Sequence, residues 1–151
     1  MKADTNNISA PRLWVVLARA YGAMSAYIEG SMEAQGIGLS DFMVLEVLLH
    51  KGPLTISAIG EKVLLASASM TSAIDRLENR RLVRRRSCSS DRRIRLVELT
   101  AGGTTLIEDM YARHAKDLEQ LMAGICETER KKLYAGLKTI GLAAKSAVST
   151  E

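Results

Sequence analysis

Residues 76–95 read RLENRRLVRRRSCSSDRRIR, and this stretch decides the fold because its periodicity changes halfway. It begins as the end of an amphipathic helix and continues as two short strand-like runs on either side of a polar turn at residues 87–93. Nine arginines against Glu78 and Asp91 give it a charge of +7, whereas the whole chain carries +4, so the remainder sums to −3. The positive charge is therefore concentrated in one place. A helix followed by an arginine-rich hairpin predicts a winged helix that binds a polyanion.

The segments on either side of this stretch have apolar residues at helical spacing. The predicted helices run from Pro11 to about Gly36, from an N-cap at Ser40 to about Lys51, from an N-cap at Thr55 to about Val63, and from residues 66–69 to Arg80. Two strands at 82–86 and 94–99, a break at Gly102–Gly103, and helices at about 104–123 and 128–147 complete the chain. Alternatively, Thr100 caps the fifth helix, which then runs through the two glycines. The predicted fold is mainly α with a small β-hairpin wing, in the order α-α-α-α-β-β-α-α.

The first and last helices carry apolar stripes that so small a four-helix core cannot cover. This favours a homodimer with an isologous interface; the alternative is a closed monomeric helical bundle. The predicted organisation is a disordered tail at 1–10, a helical dimerisation region at 11–38 and 104–151, and a winged helix-turn-helix DNA-binding region at 39–103, all forming one intertwined domain.

Composition argues against several other functions. The 151 residues are 47% hydrophobic and 25% charged, as in ordinary globular proteins, and no apolar run approaches the roughly 20 residues that span a bilayer. The cysteines, Cys88 and Cys126, and the histidines, His50 and His114, lack metal-ligand spacing and a nucleophile–base arrangement. We therefore expect no enzyme activity, no catalytic residues, no metal, no cofactor and no membrane partner. The N-terminus lacks the apolar segment of a signal peptide, which predicts a cytoplasmic protein.

The outward face of the fourth helix carries short polar side chains, which allow a helix to approach base edges and phosphates in the major groove of double-stranded DNA. Backbone N–H groups at the start of this helix can also bind a phosphate. The predicted DNA contacts from this helix are Ser67, Ser69, Met70, Thr71, Ser72 and Arg76.

The hairpin supplies the second set of predicted DNA contacts: Arg84, Arg86, Arg92 and Arg93. Strand alternation should send Arg85 to the opposite face from its two neighbours. Arg92 lies at the turn, from which a planar guanidinium can enter a narrow minor groove. An acid beside DNA is unfavourable unless it is paired, so we expect Asp91 to brace Arg76 or Arg93.

The segment from Leu54 to Gly103 resembles the MarR family of bacterial winged-helix regulators. The resemblance rests on LASASMT at 65–71, RLENRRLV at 76–83 and SDRRIRLVELTAGG at 90–103, and with the flanking helices it spans roughly 11–148. It implies a homodimeric transcription factor, usually a repressor of a pseudo-palindromic operator, with the fourth helix as recognition helix and Arg92 in the minor groove. Such a protein works in the cytoplasm, on the bacterial nucleoid when bound to DNA.

This chain departs from the family at Arg81, where glycine is usual. The position follows a helix end and tends to require a left-handed backbone, so arginine there should either be strained or force a different cap.

The resemblance also implies a small effector, commonly aromatic and anionic, that binds between the dimerisation and DNA-binding parts and releases DNA. An aromatic acid needs an apolar wall and a cation. The predicted pocket residues are Trp14, Arg19, Tyr21, Met24, Tyr27 and His50.

Two alternatives stay open. In a redox-responsive regulator, Cys88 would be the sensor, because neighbouring arginines favour a thiolate. A winged helix can also dock on protein or RNA instead of duplex DNA.

Overall fold

The computed structural model describes residues 8–63, 70–89, 91 and 93–148 of the chain. The elements in these ranges are α1 (Ala10–Glu33), α2 (Leu39–Lys51), α3 (Ile56–Lys62), α4 (Met70–Asn79), β1 (Val83–Ser87), β2 (Arg95–Leu99), α5 (Ala101–Leu121) and α6 (Glu127–Val148). The predicted order is confirmed, as is the mainly helical fold with a two-stranded hairpin. Within the described ranges, no helix is long and apolar enough to cross a membrane.

Two helices end with the same backbone motif, in which a left-handed residue closes the last turn. After α1, Gly36 has φ +75° and donates to the Glu33 carbonyl at 2.9 Å, while Ile37 donates to the Met32 carbonyl at 3.2 Å. The predicted stop of the first helix at the Gly36 region is thereby confirmed.

After α4 the left-handed residue is Arg81, with φ +57°. Arg81 donates to the Glu78 carbonyl and Leu82 to the Leu77 carbonyl, both at 2.9 Å. The left-handed backbone predicted for Arg81 is confirmed. Among the described residues, Arg81 is the one non-glycine residue with a positive φ.

The predicted N-cap of α2 is wrong. α2 begins at Leu39, two residues earlier than predicted, and its N-cap is Gly38, which offers no side-chain hydrogen bond. Ser40 lies inside the first turn, where its hydroxyl accepts a long hydrogen bond of 3.4 Å from the Arg76 guanidinium. The N-cap predicted for α3 is confirmed, since the Thr55 hydroxyl oxygen accepts from the amide of Ala58 at 3.2 Å.

The hairpin strands pair antiparallel with Val83 opposite Leu99 and Arg85 opposite Val97. Each strand begins one residue later than predicted. A further isolated bridge joins Leu54 to Val97 through two backbone hydrogen bonds of 3.1 and 2.8 Å. This contact was not predicted, because a single residue such as Leu54 cannot show the alternating pattern that indicates a strand.

The start of α5 follows the alternative prediction. The break expected at Gly102 and Gly103 is wrong, because both lie in the first turn of α5. The Thr100 hydroxyl caps this turn by accepting from the amide of Gly103 at 3.0 Å, and it donates to the Arg81 carbonyl at 2.7 Å. A Cβ on Gly103 would lie 1.9 Å from the Leu82 carbonyl oxygen, so only glycine fits there.

Buried apolar side chains from α1 to α5 and both strands form one cluster. Its buried members are Met32, Ile37, Phe42, Val44, Leu45, Leu48, Ile59, Val63, Met70, Ala73, Ile74, Leu77, Val83, Val97, Ile107 and Met110. The chain divides into two compact units, of which the first ends at His114 and the second begins at Ala115. In the second unit, Arg130 fixes the turn before α6 by bonds to the Glu119 carboxylate at 2.6 Å and the Met122 carbonyl at 2.9 Å.

Candidate nucleic-acid interface

The helix α4 is amphipathic, and its polar face carries part of the predicted DNA-binding set. Thr71 and Ser72 are exposed, while Ala73, Ile74 and Leu77 are buried in the core. The exposed hydroxyls therefore lie on the face that remains open to a ligand. Two further predicted contacts, Ser67 and Ser69, lie outside the described residues. The prediction for Met70 as a DNA contact is wrong: the residue is only 4% exposed and packs in the core.

Arg76, a predicted DNA contact, is held by α2. Its guanidinium donates to the two carboxylate oxygens of Asp41 at 2.5 and 3.3 Å. The hydrogen bond to Asp41 raises the pKa of Arg76. Asp41 is 5% exposed, and among the described residues no other charged residue is buried. Because a buried carboxylate needs a partner, this pair fixes α4 against α2 and leaves half of the arginine side chain in solvent.

The role of Asp41 was not predicted. Its position in the first turn of α2 suggested only a favourable interaction with the helix dipole. No periodicity in one sequence connects residues 41 and 76, which meet only in the folded chain.

Asp91 contacts one of its two expected partners, Arg93, but through the backbone. One carboxylate oxygen of Asp91 accepts from the Arg93 amide at 2.9 Å, and the Asp91 carbonyl accepts from the amide of Ile94 at 3.1 Å. Asp91 thus shapes the turn of the hairpin, and the expected brace for Arg76 is supplied by Asp41 instead. Arg93 itself is exposed, whereas Arg92, the residue assigned to the minor groove, lies outside the described residues.

Arg85 lies on the opposite face of β1 from Arg84 and Arg86, as alternation predicts. Its guanidinium donates to Asp75 at 2.6 Å and also to Glu78, and its amide donates to the Glu78 carboxylate at 3.1 Å. The hydrogen bond to Asp75 raises the pKa of Arg85, and the nearby charges add to this. Since both carboxylates belong to α4, Arg85 fastens the base of the hairpin to this helix.

Arg84 and Arg86 share one carboxylate on the neighbouring strand. The Nε of Arg84 donates to Glu98 Oε1 at 2.7 Å, and the Nε of Arg86 donates to Glu98 Oε2 at 2.5 Å. The hydrogen bonds from Arg86 and then Arg84 lower the pKa of Glu98. Both predicted DNA contacts are therefore paired within the chain, by a residue that the sequence pattern did not single out.

A cavity of about 380 Å³ lies along α2 and the end of α3. Its lining residues are Met43, Glu46, Val47, His50, Lys51 and Lys62. His50 also packs edge-on against Tyr111 of α5, with 4.8 Å between ring centroids. Of the six predicted pocket residues, His50 lines this cavity.

The other five predicted pocket residues lie on α1 and do not line that cavity. Trp14 is 67% exposed and Tyr21 and Tyr27 are also exposed, as is Arg19, while Met24 is half-buried.

Cys88, the residue of the redox alternative, lies half-buried at the end of β1, where its amide donates to the Ile94 carbonyl at 2.9 Å. Among the described residues, no group of three or more His, Cys, Asp or Glu side chains could hold a metal ion.

Comparisons with known proteins agree with this arrangement. The MarR family profile matches residues 37–94. The transcriptional regulator MhqR of Bacillus subtilis is 34% identical over 134 residues, which cover 89% of this chain and 92% of MhqR.

Two solved structures share the fold. The first is Bordetella bronchiseptica BpsR, whose DNA binding is regulated by 6-hydroxynicotinic acid; it has a TM-score of 0.75 and 24% identity, over 86% of this chain and 98% of BpsR. The second is a single-residue mutant of MarR from E. coli in complex with operator DNA; it has a TM-score of 0.75 and 22% identity, over 91% of this chain and 99% of that one. The relatives are transcriptional regulators rather than enzymes, and with MhqR at 34% identity over most of both chains, this chain belongs to the MarR family.

Proposed function

We propose that the chain acts in the cytoplasm as a homodimeric repressor of a pseudo-palindromic operator, with α4 in the major groove and the hairpin turn in the minor groove. The observation that carries the proposal is the junction of α4 and the hairpin. Exposed hydroxyls on α4 lie beside an arginine-rich hairpin that Arg85 fastens to the same helix. Two elements held in fixed relation can read adjacent grooves of one duplex.

Exposed apolar surface supports the homodimer. On α1, Leu13, Trp14 and Val16 are all at least 45% exposed. On α6 no residue is buried, and Leu133 and Ile140 are at least 45% exposed. Exposed apolar side chains grouped on one helix mark association sites, and a second copy offers the same helices by symmetry. Sedimentation of the purified chain should give twice the monomer mass.

DNA binding is tested with a duplex that the protein itself selects from a random pool, against a scrambled duplex of equal length. The selected duplex should bind much more tightly, and binding should weaken steeply with salt because each neutralised phosphate lowers the log–log slope by about 0.9. Arg92→Ala should weaken binding strongly without unfolding the chain. Lys132→Ala, on the exposed surface of α6, removes the same charge and serves as control.

Three results would count against this proposal. Equal affinity for both duplexes would favour a module that docks on protein or RNA. If Arg92→Ala binds DNA as tightly as the wild type, the assignment of Arg92 to the minor groove is wrong. If peroxide releases DNA from the wild type but not from Cys88→Ser, redox regulation is favoured.

The cavity along α2 supports an effector that is small, aromatic and anionic. Met43 and Val47 supply the apolar wall, and the His50 imidazole supplies a hydrogen-bonding group. The two ammonium groups of Lys51 and Lys62 outnumber the single carboxylate of Glu46, so the lining keeps a net positive charge for an anion. A volume near 380 Å³ is in the range of small-molecule sites. The regulator of DNA binding by BpsR, 6-hydroxynicotinic acid, is itself an aromatic acid, which supports the same class of effector here.

The effector proposal is tested by titrating aromatic carboxylates, starting with benzoate, into the complex of protein and selected duplex. We expect release of DNA by the wild type and a weaker response from Lys62→Met. Uncharged benzamide serves as ligand control. Release that is equal for the acid and the amide, or unaffected by Lys62→Met, would contradict an anion site in this cavity.

A further inference from the structure

The outer face of the hairpin holds a negative charge where a surface for DNA should be purely positive. Glu98 is opposite Arg84 in the strand register and accepts hydrogen bonds from both Arg84 and Arg86. We call these three residues the arginine fork. The Glu98 side chain is 14% exposed, whereas those of Arg84 and Arg86 are 69% and 42% exposed. The carboxylate is thus sheltered, and the arginines form the surface that a ligand meets.

The fork has a different charge balance from the inner face of the same strand. There Arg85 is matched by two carboxylates, Asp75 and Glu78, so its charge is more than offset. In the fork two guanidinium groups share one carboxylate, which leaves a net charge of +1. The inner contact is therefore structural. The fork keeps a net positive charge on an exposed surface, but this charge is only half of the +2 that its two arginines carry.

The geometry of the fork leaves hydrogen-bond donors for a further partner. Both bonds to Glu98 use the Nε of the arginine, so the terminal amino groups of both guanidiniums are not used in these bonds. Long arginine side chains lose substantial rotamer freedom when they bind a phosphate. A carboxylate that already holds them in place reduces that loss, but only for a phosphate at matching positions.

We propose that Glu98 is a specificity-determining residue for DNA binding: it lowers the affinity of the hairpin for duplex DNA in general and favours duplexes whose phosphates meet the preset fork. This inference rests on the proposed DNA-binding function. Long-range attraction to the phosphate backbone depends on net charge and not on sequence, so one negative charge reduces it for every duplex alike. Fixed arginine positions compensate for this loss only on duplexes whose backbone fits them.

The test compares Glu98→Gln with the wild type on the selected duplex and on the scrambled duplex. Glutamine keeps the size of the side chain and removes the charge. For each freed charge that engages one more phosphate, one in each hairpin of the proposed dimer, the log–log salt slope on scrambled DNA steepens by about 0.9, which corresponds to roughly eightfold tighter binding per charge at about 0.1 M salt. Affinity for the selected duplex should rise less, so the ratio of the two affinities falls.

Two further variants separate charge from position. Glu127→Gln makes the same change in net charge at an exposed carboxylate on α6 that pairs with Lys131 at 2.6 Å, and it should leave the affinity ratio unchanged. Glu98→Asp keeps the charge but is too short to hold both arginines, so its salt slope should match the wild type while its preference for the selected duplex falls. Glu98→Asp also keeps the proposal testable if Glu98→Gln does not fold.

The outcomes distinguish this inference from the function beneath it. If the wild type binds both duplexes equally, the proposed function fails. If the wild type prefers the selected duplex but Glu98→Gln has the same affinity ratio and salt slope as the wild type, Glu98 is only structural and the inference is overturned. The same holds if Glu127→Gln changes the ratio as much as Glu98→Gln, or if Glu98→Asp discriminates as well as the wild type.

Discussion

Replacing Arg81 by glycine should stabilise the protein. Arg81 occupies the left-handed position after α4 with φ +57°, where its Cβ is crowded by the backbone. An L-residue in this region costs roughly 1–2 kcal/mol relative to glycine, and the extra freedom of glycine in the unfolded chain returns about 0.4–1 kcal/mol of that. The expected net gain in the free energy of unfolding is therefore about 1 kcal/mol.

The contacts around Arg81 support this value. Its side chain is exposed, and the hydrogen bonds at the position involve the amide, which donates to the Glu78 carbonyl, and the carbonyl, which accepts from Thr100. Glycine keeps both of these groups. The substitution thus removes backbone strain while it leaves the helix end and the cap of α5 in place.

Gly36→Ala is the matched control, because Gly36 closes α1 with the same motif and φ +75°. A Cβ there would meet no other atom within 4 Å, so the cost of alanine is conformational. We expect a loss of about 1 kcal/mol, equal and opposite to the gain at Arg81.

The assay is urea unfolding followed by circular dichroism in the far ultraviolet, with all variants at the same protein concentration because association shifts the midpoint. With a slope of about 2 kcal/mol per molar urea, a change of about 1 kcal/mol moves the midpoint by about 0.5 M. Arg81→Gly that is no more stable than the wild type, while Gly36→Ala loses stability as expected, would refute the reasoning.

Three other predictions, on packing and charge, are tested by urea unfolding. Gly103→Ala should cost about 1–3 kcal/mol because its Cβ would lie 1.9 Å from a backbone oxygen, whereas Gly102→Ala, whose Cβ has 3.9 Å of clearance, should be neutral or stabilising; equal effects would contradict the close approach. Asp41→Asn should cost about 2 kcal/mol because it removes the charged partner of Arg76, and a variant as stable as the wild type would show that the pair is dispensable. Because Arg86 and Arg84 lower the pKa of Glu98, its ionised form stabilises the fold above the unfolded pKa of about 4.3, and this contribution is lost as pH falls through the lowered value; the difference in the free energy of unfolding between wild type and Glu98→Gln should therefore shrink as pH falls below about 4.3, and a constant difference would contradict it.

The element order was predictable because each helix and strand has its own local period. The change of period within residues 76–95 located the hairpin, and Thr55 located the start of α3 by its hydroxyl. Arg81 shows that even a strained backbone position can be found when a sequence departs from a family pattern at a helix end.

The partners of the charged residues were not predictable. Asp41 with Arg76 and Glu98 with Arg84 join positions 35 and 14 residues apart, and such pairs follow from tertiary packing and strand register. The start of α5 was placed too late because glycine usually weakens helices, whereas Gly103 is required by close contact with the preceding strand. Met70 was predicted as a DNA contact from its place at the start of α4, and only packing shows that it lies in the core.

The junction at Thr100 has a kinematic consequence. One hydroxyl bonds both to the first turn of α5 and to the carbonyl of Arg81, and Gly103 leaves no gap against Leu82. The junction therefore restrains the first turn of α5 from rotating independently of the hairpin. Because Arg85 couples the hairpin to α4 in turn, a tilt of the first turns of α5 would displace the hairpin and α4 together.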